Sequence, residues 1–222
     1  MKNPPPCLSE LPFAALLAYS PRGKSPTSIE SRKVRDAVKN DRGWRNQEKL
    51  FIQLAAEKLL GEVEAGGFAG LFGPDVGLVA APRSAPLTAG ALWPGRRICQ
   101  ELERLRLGSG VLDCVERVEP VRKAAFASSA GAPRPTIAEH LATLECTPNL
   151  LAPRRLLLVD DFVTSGTMLI ATATILRVAY PQAEVKAFAL VRTMSAGDVE
   201  RILEPCSGTI LFEGGAYARR EP

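Results

Sequence analysis

Long apolar runs, paired cysteines and an export signal are all missing from this sequence. The longest apolar runs, at 13–18 and 156–159, are much shorter than the ~18 residues of a membrane span. The 5 cysteines are an odd number and include no CxxC pair, which argues against a disulfide framework and a zinc site. The N-terminal string MKNPPPCLSE has no apolar stretch after its charge, so we expect a cytoplasmic location and reduced cysteines.

Histidine is almost absent as well, since His140 is the only one in the chain. A Ser-His-Asp triad or a histidine zinc site would have to be built around this residue. His140 follows Thr136 and Glu139, whose T-x-x-E spacing predicts a capping box at a helix start. We therefore expect His140 to lie on a short helix with a packing or surface role, and no histidine base in catalysis.

The composition is that of a folded globular protein. Hydrophobic residues make up 46% of the 222 residues, and charged residues make up 23%. There are 28 Lys and Arg against 24 Asp and Glu, a net charge of +4 that suits an anionic ligand without demanding a nucleic acid. Because no internal repeat occurs, we expect a single domain over 1–222, with 1–12 as a flexible lead-in.

Strand-like and helix-like segments alternate along the chain. Strands are predicted over 13–20, 77–82, 111–118, 155–161, 185–191 and 209–212, and helices over 28–42, 44–63, 94–107, 136–144, 166–179 and 195–203. The strand interiors are continuously apolar rather than alternating, which is typical of strands covered on both faces. The predicted fold class is therefore α/β, a mostly parallel sheet with helices on both faces.

The string VDDFVTSGT at 159–167 carries the clearest chemistry. A buried strand delivers Asp160 and Asp161 to its carboxyl end, which is where ligands bind in open α/β sheets. The turn at 163–167 then enters a helix, so unpaired N–H groups and hydroxyls gather as an anion cradle. A ligand that places a phosphate in the cradle and donates from neighbouring hydroxyls to the two acids would fit this site, and a ribose 5-phosphate has both groups. The alternative is an ordinary strand-to-helix turn in which Asp161 or Thr164 serves as the N-cap.

This string resembles the phosphoribosyl pyrophosphate (PRPP) loop of type I phosphoribosyltransferases. The resemblance implies the fold of that family with a small hood. It also implies a reaction in which phosphoribose moves to or from a nitrogenous base or amine, with pyrophosphate as co-product. In this resemblance Asp160 and Asp161 are the catalytic acids on the ribose hydroxyls, and Mg²⁺ is bound through PRPP rather than by protein ligands. The residues implied for the 5′-phosphate are Val163, Thr164, Ser165, Gly166 and Thr167.

Two further segments match positions of that family. GLVAAPRSAP at 77–86 is similar to the pyrophosphate loop, which assigns Arg83 and Ser84 to the pyrophosphate. Arg122 and Lys123 precede a loop of small residues at the position of the family's lid. The alternatives are a surface turn in the first case and solvated charges in the second. The acceptor would lie under a hood formed by the N-terminal segment, the C-terminal string EGGAYARR or both.

One branch of the family is matched more closely than the others. The strings YSPRG, VRDAVKNDR, APRSAP, RPTIAEH, LVDDFVTSGT and AFALVRT occur in the order found in ComF-like phosphoribosyltransferases, which are associated with competence. The four-cysteine zinc ribbon and the RGFNQ string of that branch are missing, which makes the chain ComF-like rather than the competence protein.

A basic stripe, defined as Arg32, Arg35, Lys39 and Arg42, shares one face of the first predicted helix. It could give weak nucleic-acid contact through phosphates, bring Lys39 to a substrate, or be a solvated face. The candidate functions are therefore a phosphoribosyltransferase, a non-catalytic PRPP-binding regulatory protein, and a competence-related, nucleic-acid-associated protein. The acceptor and the pathway are left open, as is a homodimer.

Overall fold

The computed structural model describes residues 5–45, 47–122, 133–149, 153–194 and 197–222. Its helices are α1 (Pro26–Lys39), α2 (Phe51–Glu64), α3 (Pro94–Arg104), α4 (Ile137–Ala142) and α5 (Thr167–Ala179). Its strands are β1 (Glu10–Tyr19), β2 (Val76–Ala80), β3 (Gly110–Val111), β4 (Val115–Arg117), β5 (Leu144–Cys146), β6 (Arg155–Val163), β7 (Glu184–Thr193), β8 (Leu203–Leu211) and β9 (Arg219–Glu221).

Within the described residues, seven strands form one sheet in the order β3-β2-β6-β7-β1-β8-β9. The strands from β3 to β1 in this order run parallel, whereas β8 and β9 are antiparallel and lie at one edge. β4 and β5 form a separate antiparallel pair. The mostly parallel α/β class predicted from the apolar strands is confirmed. Because β6 lies between β2 and β7, its carboxyl end is flanked by two strand ends of the same direction.

Both faces of the sheet are buried around β2 and β6, because helices cover each of them there. Leu157 and Val159 of β6 pack with α1, α2 and α3, whereas Leu156 and Leu158 pack with α5 and the β4-β5 pair. Consecutive residues face opposite ways because side chains of an extended strand alternate. Burial of each leucine stabilises the fold by about 1.5–3 kcal/mol, so the strand that carries the two acids is firmly held.

The helix predicted over 195–203 is wrong. Residues 203–211 form β8, which pairs with β1 from Glu10↔Leu211 to Leu17↔Leu203, and none of the described residues 197–202 is helical. Over most of β8, exposed and half-buried side chains alternate, which is the period of a strand and not of a helix. Backbone pairing with β1 therefore outweighs the local helix propensity of this segment.

Three other boundaries differ from the sequence prediction. The strand predicted over 111–118 is split into β3 and β4, and the helix predicted from 44 begins at Phe51. β1 begins at Glu10, and the backbone N–H of Leu8 donates to Oγ1 of Thr174 in α5 at 3.1 Å. The last residues of the expected lead-in are thus attached to the sheet and to α5.

Candidate functional site

Two acids lie together at the carboxyl end of β6. Asp161 is 7% exposed, and its backbone N–H donates to Oδ1 of Asp160 at 2.8 Å. Burial, followed by the neighbouring charge of Asp161, raises the pKa of Asp160 well above its usual range, and Lys39 opposes this shift without cancelling it. Asp160 therefore takes up a proton more readily than an isolated aspartate does.

Lys39, the last residue of α1, contacts this acid pair. Its Nζ lies 2.6 Å from Oδ2 of Asp161 and 4.9 Å from the ring centroid of Phe162. The Asp161 side chain is 10% exposed, so the ion pair is shielded from water on one side and is stronger than a fully exposed pair. The contact agrees with the hypothesis that the basic stripe brings Lys39 to a substrate site.

The other members of the basic stripe have separate surroundings. Nη1 of Arg32 donates to the carbonyl of Gly23 at 2.8 Å, and Nη1 of Arg35 lies 3.6 Å from Oδ1 of Asp36. Arg42 is exposed. α1 ends at Lys39, so the prediction that all four residues share one helical face is wrong for Arg42. Nucleic-acid contact through the basic stripe stays a prediction.

The turn after β6 ends in an open helix N-terminus. Gly166 is the N-cap of α5 with φ of +84°, and no described side chain caps the helix there. Oγ of Ser165 accepts from the N–H of Thr167 at 3.5 Å, and the other first-turn N–H groups are available to an anion. Oγ of Ser165 lies 2.9 Å from Oγ1 of Thr167, so two hydroxyls lie beside these N–H groups. The alternative in which Asp161 or Thr164 serves as the N-cap is wrong, because Gly166 holds that position.

Val163 and Thr164 differ in what they can offer a ligand. Val163 is 1% exposed and its side chain packs with α5. Only the backbone of Val163 could therefore contact an anion. Thr164 is exposed, and its Oγ1 lies 3.1 Å from Oγ1 of Thr193 at the end of β7. The hydroxyl of Thr164 can therefore turn to a phosphate by giving up one exposed hydrogen bond.

The C-terminal string EGGAYARR lies against this turn. The backbone N–H of Ala218 donates to Oγ1 of Thr167 at 3.2 Å. Arg220 donates from Nε to the carbonyl of Thr164 at 3.0 Å and from Nη2 to the carbonyl of Thr193 at 2.9 Å. Sequence reasoning missed Arg220 as a support of the turn, because its only signal was a pair of arginines far along the chain.

The predicted pyrophosphate residues lie at the same sheet edge as the acids. β2 and β6 are parallel neighbours with Ala80 opposite Val159, and the N–H of Ala81 donates to the carbonyl of Val159 at 2.8 Å. Arg83 and Ser84 follow within a few residues and are half-buried. The pyrophosphate role of these two residues stays a prediction, but their position beside the carboxyl end of β6 suits it.

A buried arginine connects the β4-β5 pair to this loop. Arg117 is 4% exposed and donates from Nε to the carbonyl of Arg83 and from Nη1 to Oγ1 of Thr143. Its Nη2 lies 3.1 Å from Nδ1 of His140, which is 7% exposed. The expected packing role of His140 is confirmed. Sequence reasoning missed this network because its members are far apart in the chain.

Burial controls protonation in this network. It lowers the pKa of Arg117 to about 10 and, together with the charge of Arg117, lowers the pKa of His140 to about 4. His140 is therefore neutral at pH 7, and its unprotonated Nδ1 can accept from Arg117.

We expect acid to destabilise the protein through His140. Between pH 6.5 and pH 4 the unfolded chain takes up a proton on this residue that the folded chain does not. His140 therefore leaves the free energy of unfolding unchanged above pH 6.5 and lowers it by about 3 kcal/mol at pH 4. Chemical denaturation across this range should show a shallower pH dependence for His140→Asn, which keeps an acceptor and cannot titrate. Equal pH dependence in both proteins would contradict the assignment.

The two predicted lid residues are only partly covered by the structure. Arg122 is exposed, and its Nη2 lies 2.6 Å from Oε1 of Glu139. Exposed ion pairs contribute about 0–1 kcal/mol, so Arg122 can exchange this partner for an anion. Lys123 lies outside the described residues. The lid role of both stays a prediction.

The described ranges contain neither a cluster of metal-ligating side chains nor a membrane-spanning helix. Within them, no group of three His, Cys, Asp or Glu side chains is placed to hold a metal ion. No described helix combines the length and the apolar character needed to cross a membrane. The 5 cysteines are all free thiols.

No protein-family model and no curated protein matches the chain. Among solved structures, the chain is similar to Helicobacter pylori xanthine-guanine-hypoxanthine phosphoribosyltransferase, with 14% sequence identity and a TM-score of 0.35. The match covers 67% of this chain and 86% of that chain. Such a superposition is too loose to establish a common fold, so the chemistry of the site is inferred from this chain's own residues.

Proposed function

We propose that the chain binds PRPP with Mg²⁺ and transfers phosphoribose to or from a nitrogenous base or amine, with pyrophosphate as co-product. The supporting observation is that three complementary features meet at one sheet edge. They are the acid pair at the carboxyl end of β6, the open N-terminus of α5, and the loop with Arg83 and Ser84 after the neighbouring strand β2.

The ribose 5-phosphate part of PRPP suits the segment from β6 to α5. Asp160 and Asp161 accept hydrogen bonds from the two ribose hydroxyls. Such hydrogen bonds are stronger when the accepting carboxylate is ionised. The 5′-phosphate then lies at the start of α5, where the helix dipole favours negative charge. The residues assigned to this phosphate are Val163, Thr164, Ser165, Gly166 and Thr167.

The reaction needs placement and charge stabilisation more than a protein nucleophile. Positive charge develops on the sugar as the bond to pyrophosphate breaks, and the carboxylate of Asp161 stabilises that charge. Arg83 and Ser84 hold the departing pyrophosphate, with Arg117 keeping the Arg83 carbonyl in position. The burial of Asp161 away from water strengthens its interactions.

Mg²⁺ would reach this site on the diphosphate of PRPP rather than on protein ligands. Asp160 and Asp161 are assigned to the ribose hydroxyls, so phosphate oxygens and waters would hold the ion. When bound, Mg²⁺ would neutralise the charge of the diphosphate.

The experiment that tests this proposal is a phosphorus NMR time course of PRPP and Mg²⁺ with the protein and a pool of purine and pyrimidine bases. We expect a pyrophosphate signal to grow. Intact PRPP signals that broaden with the protein would favour the regulatory protein. Intact, sharp signals would contradict both functions. The ComF-like branch, the lid, the hood and a homodimer stay predictions.

A change at Lys39 should weaken PRPP binding. Lys39→Met leaves Asp160 and Asp161 without their cation, so the site becomes more negative toward an anionic ligand. We expect about ten-fold weaker binding, equivalent to about 1.4 kcal/mol, measured by calorimetry with PRPP and Mg²⁺. The matched control is Arg35→Met, which removes the same charge from an exposed position on the same helix. Equal losses in the two variants would contradict a local role for Lys39.

A further inference from the structure

Arg220 lies on β9, the last strand of the chain, beside the turn that follows β6. β9 pairs with β8, and Ile210 is the partner of Arg220 in this register. Ile210 is fully buried and packs under Gly166, since a Cβ added to that glycine would lie 2.7 Å from the Ile210 side chain. The strand pairing therefore places Arg220 next to the start of α5.

The guanidinium of Arg220 joins the ends of two parallel strands. Its Nε donates to the carbonyl of Thr164 at 3.0 Å, and its Nη2 donates to the carbonyl of Thr193 at 2.9 Å. Thr164 follows β6, and Thr193 ends β7. Because a guanidinium is planar and its nitrogens have a fixed spacing, it holds the two carbonyls at one separation. A lysine donates from a single nitrogen and lacks this fixed spacing.

The contact with Thr164 also fixes the backbone N–H of Ser165. The Thr164 carbonyl and the Ser165 N–H belong to one planar trans peptide unit, in which the two groups point in opposite directions. The N–H of Ser165 is therefore directed away from Arg220, and no described residue accepts a hydrogen bond from it. It adds one donor to those of the first turn of α5.

Arg220 also places a positive charge beside this turn. Its Nη1 is buried and has no hydrogen-bond partner among the described residues. Burial lowers the pKa of Arg220, and the charge of Arg192 lowers it further. Nε of Arg192 is likewise buried without a described partner, although its Nη2 pairs with Glu204. Two guanidinium groups so close together repel each other, and a phosphate bound nearby would offset this repulsion.

We propose that Arg220 is a positioning residue for the 5′-phosphate. It bridges the ends of β6 and β7, so that the N–H of Ser165 and the first turn of α5 converge on the phosphate. Arg220 acts through the carbonyls of Thr164 and Thr193, and its charge adds to the attraction of the turn for an anion. This inference rests on the phosphate site of the proposed function, but it does not require the transfer reaction.

The test is calorimetric titration of the whole chain with ribose 5-phosphate, for wild type, Arg220→Lys and Arg220→Gln. We expect about ten-fold weaker binding in Arg220→Lys, which keeps the charge and loses the fixed spacing, and a larger loss in Arg220→Gln, which loses both. In isotope-labelled wild type, the amide signal of Ser165 should shift when the ligand binds. At saturation this shift should be smaller in both variants. Wild-type affinity in Arg220→Lys would overturn the positioning role.

Arg219→Lys and Arg219→Gln are the matched controls. Arg219 is the adjacent residue of β9, and its exposed guanidinium pairs with Glu213 and Glu221. Exposed ion pairs contribute little, so both changes should leave the affinity unaltered. Equal losses at positions 219 and 220 would overturn the inference, because they would show a general effect of charge or of β9.

Circular dichroism spectra and thermal midpoints establish which variants are folded. The guanidinium carbon of Arg220 lies 5.6 Å from the ring centroid of Phe13. A lysine keeps an aliphatic stem and a charge beside this ring, so Arg220→Lys should fold even if Arg220→Gln does not. The lysine variant therefore decides the test by itself.

Failure of this inference and failure of the proposed function give different results. Wild type that binds ribose 5-phosphate but releases no pyrophosphate from PRPP would contradict the transferase and leave Arg220 in its role. Wild type that binds no ribose 5-phosphate would overturn the phosphate site and this inference together. Binding that is equal in wild type and both Arg220 variants would overturn this inference alone.

Discussion

We expect Asp161→Asn to reduce pyrophosphate release from PRPP at least about 100-fold. The amide keeps the shape of the side chain but removes the negative charge that stabilises the sugar in the transition state. It also leaves Lys39, 2.6 Å away, without its ionic partner. The measurement is the phosphorus NMR time course with Mg²⁺ and the pool of bases, run for wild type and variant at equal concentrations.

Asp160→Asn and Asp113→Asn are the comparisons for this result. Asp160 has a raised pKa because it is buried beside Asp161, so its charge opposes folding at neutral pH. We therefore expect Asp160→Asn to raise the thermal midpoint, whereas Asp161→Asn lowers it. Asp113 lies in an exposed ion pair with Arg96, and its change should leave pyrophosphate release unaltered. Wild-type turnover in Asp161→Asn would refute the proposed role of that acid.

We expect Gly166→Ala to destabilise the protein by about 2–4 kcal/mol and to abolish phosphate binding at the start of α5. Gly166 has φ of +84°, a conformation that disfavours any side chain. A Cβ at this position would lie 2.7 Å from three side-chain atoms of Ile210, which is fully buried in β8. The helix start must move or the core must open, and both displace the anion cradle. Chemical denaturation and titration with inorganic phosphate measure the two effects.

Gly61→Ala is the matched control for this change. Gly61 lies in α2, and a Cβ added there would have no neighbouring atom within 4 Å, so alanine should stabilise the helix by about 0.5–1 kcal/mol. An Ile210→Ala background separates the two causes at Gly166. In this background, the loss in free energy of unfolding caused by Gly166→Ala should be smaller. The steric clash with Ile210 is removed, whereas the backbone strain at residue 166 stays. An unchanged penalty would assign the whole effect to the backbone.

The segment from β6 to α5 could be predicted from the sequence because its signals are local. The apolar run at 156–159 indicates a buried strand, the glycine at 166 indicates the turn, and the helix follows at once. The capping box of Thr136 and Glu139 is equally local, and α4 begins there as expected. These patterns act within one or two turns of chain, so no distant partner changes their outcome.

The segment after β7 could not be predicted in the same way. Asp198 suits the first turn of a helix by its position, but its Oδ1 accepts from the N–H of Ser25 at 2.7 Å and from Oγ of Ser28 at 2.9 Å. It stabilises the start of α1, which lies far earlier in the chain. The strand β8 likewise depends on the free edge of β1, which exists only once the sheet has formed.

The sequence by itself determined the α/β class, the acid pair at a strand end and the glycine turn into α5, because backbone periodicity and turn chemistry are properties of short segments. Tertiary structure decided which groups meet there. The order of the strands brings Arg83 beside the acids, packing of α1 brings Lys39 to Asp161, and burial joins Arg117 to His140. These contacts depend on sheet order and on burial of groups distant in the chain, which short sequence patterns do not encode.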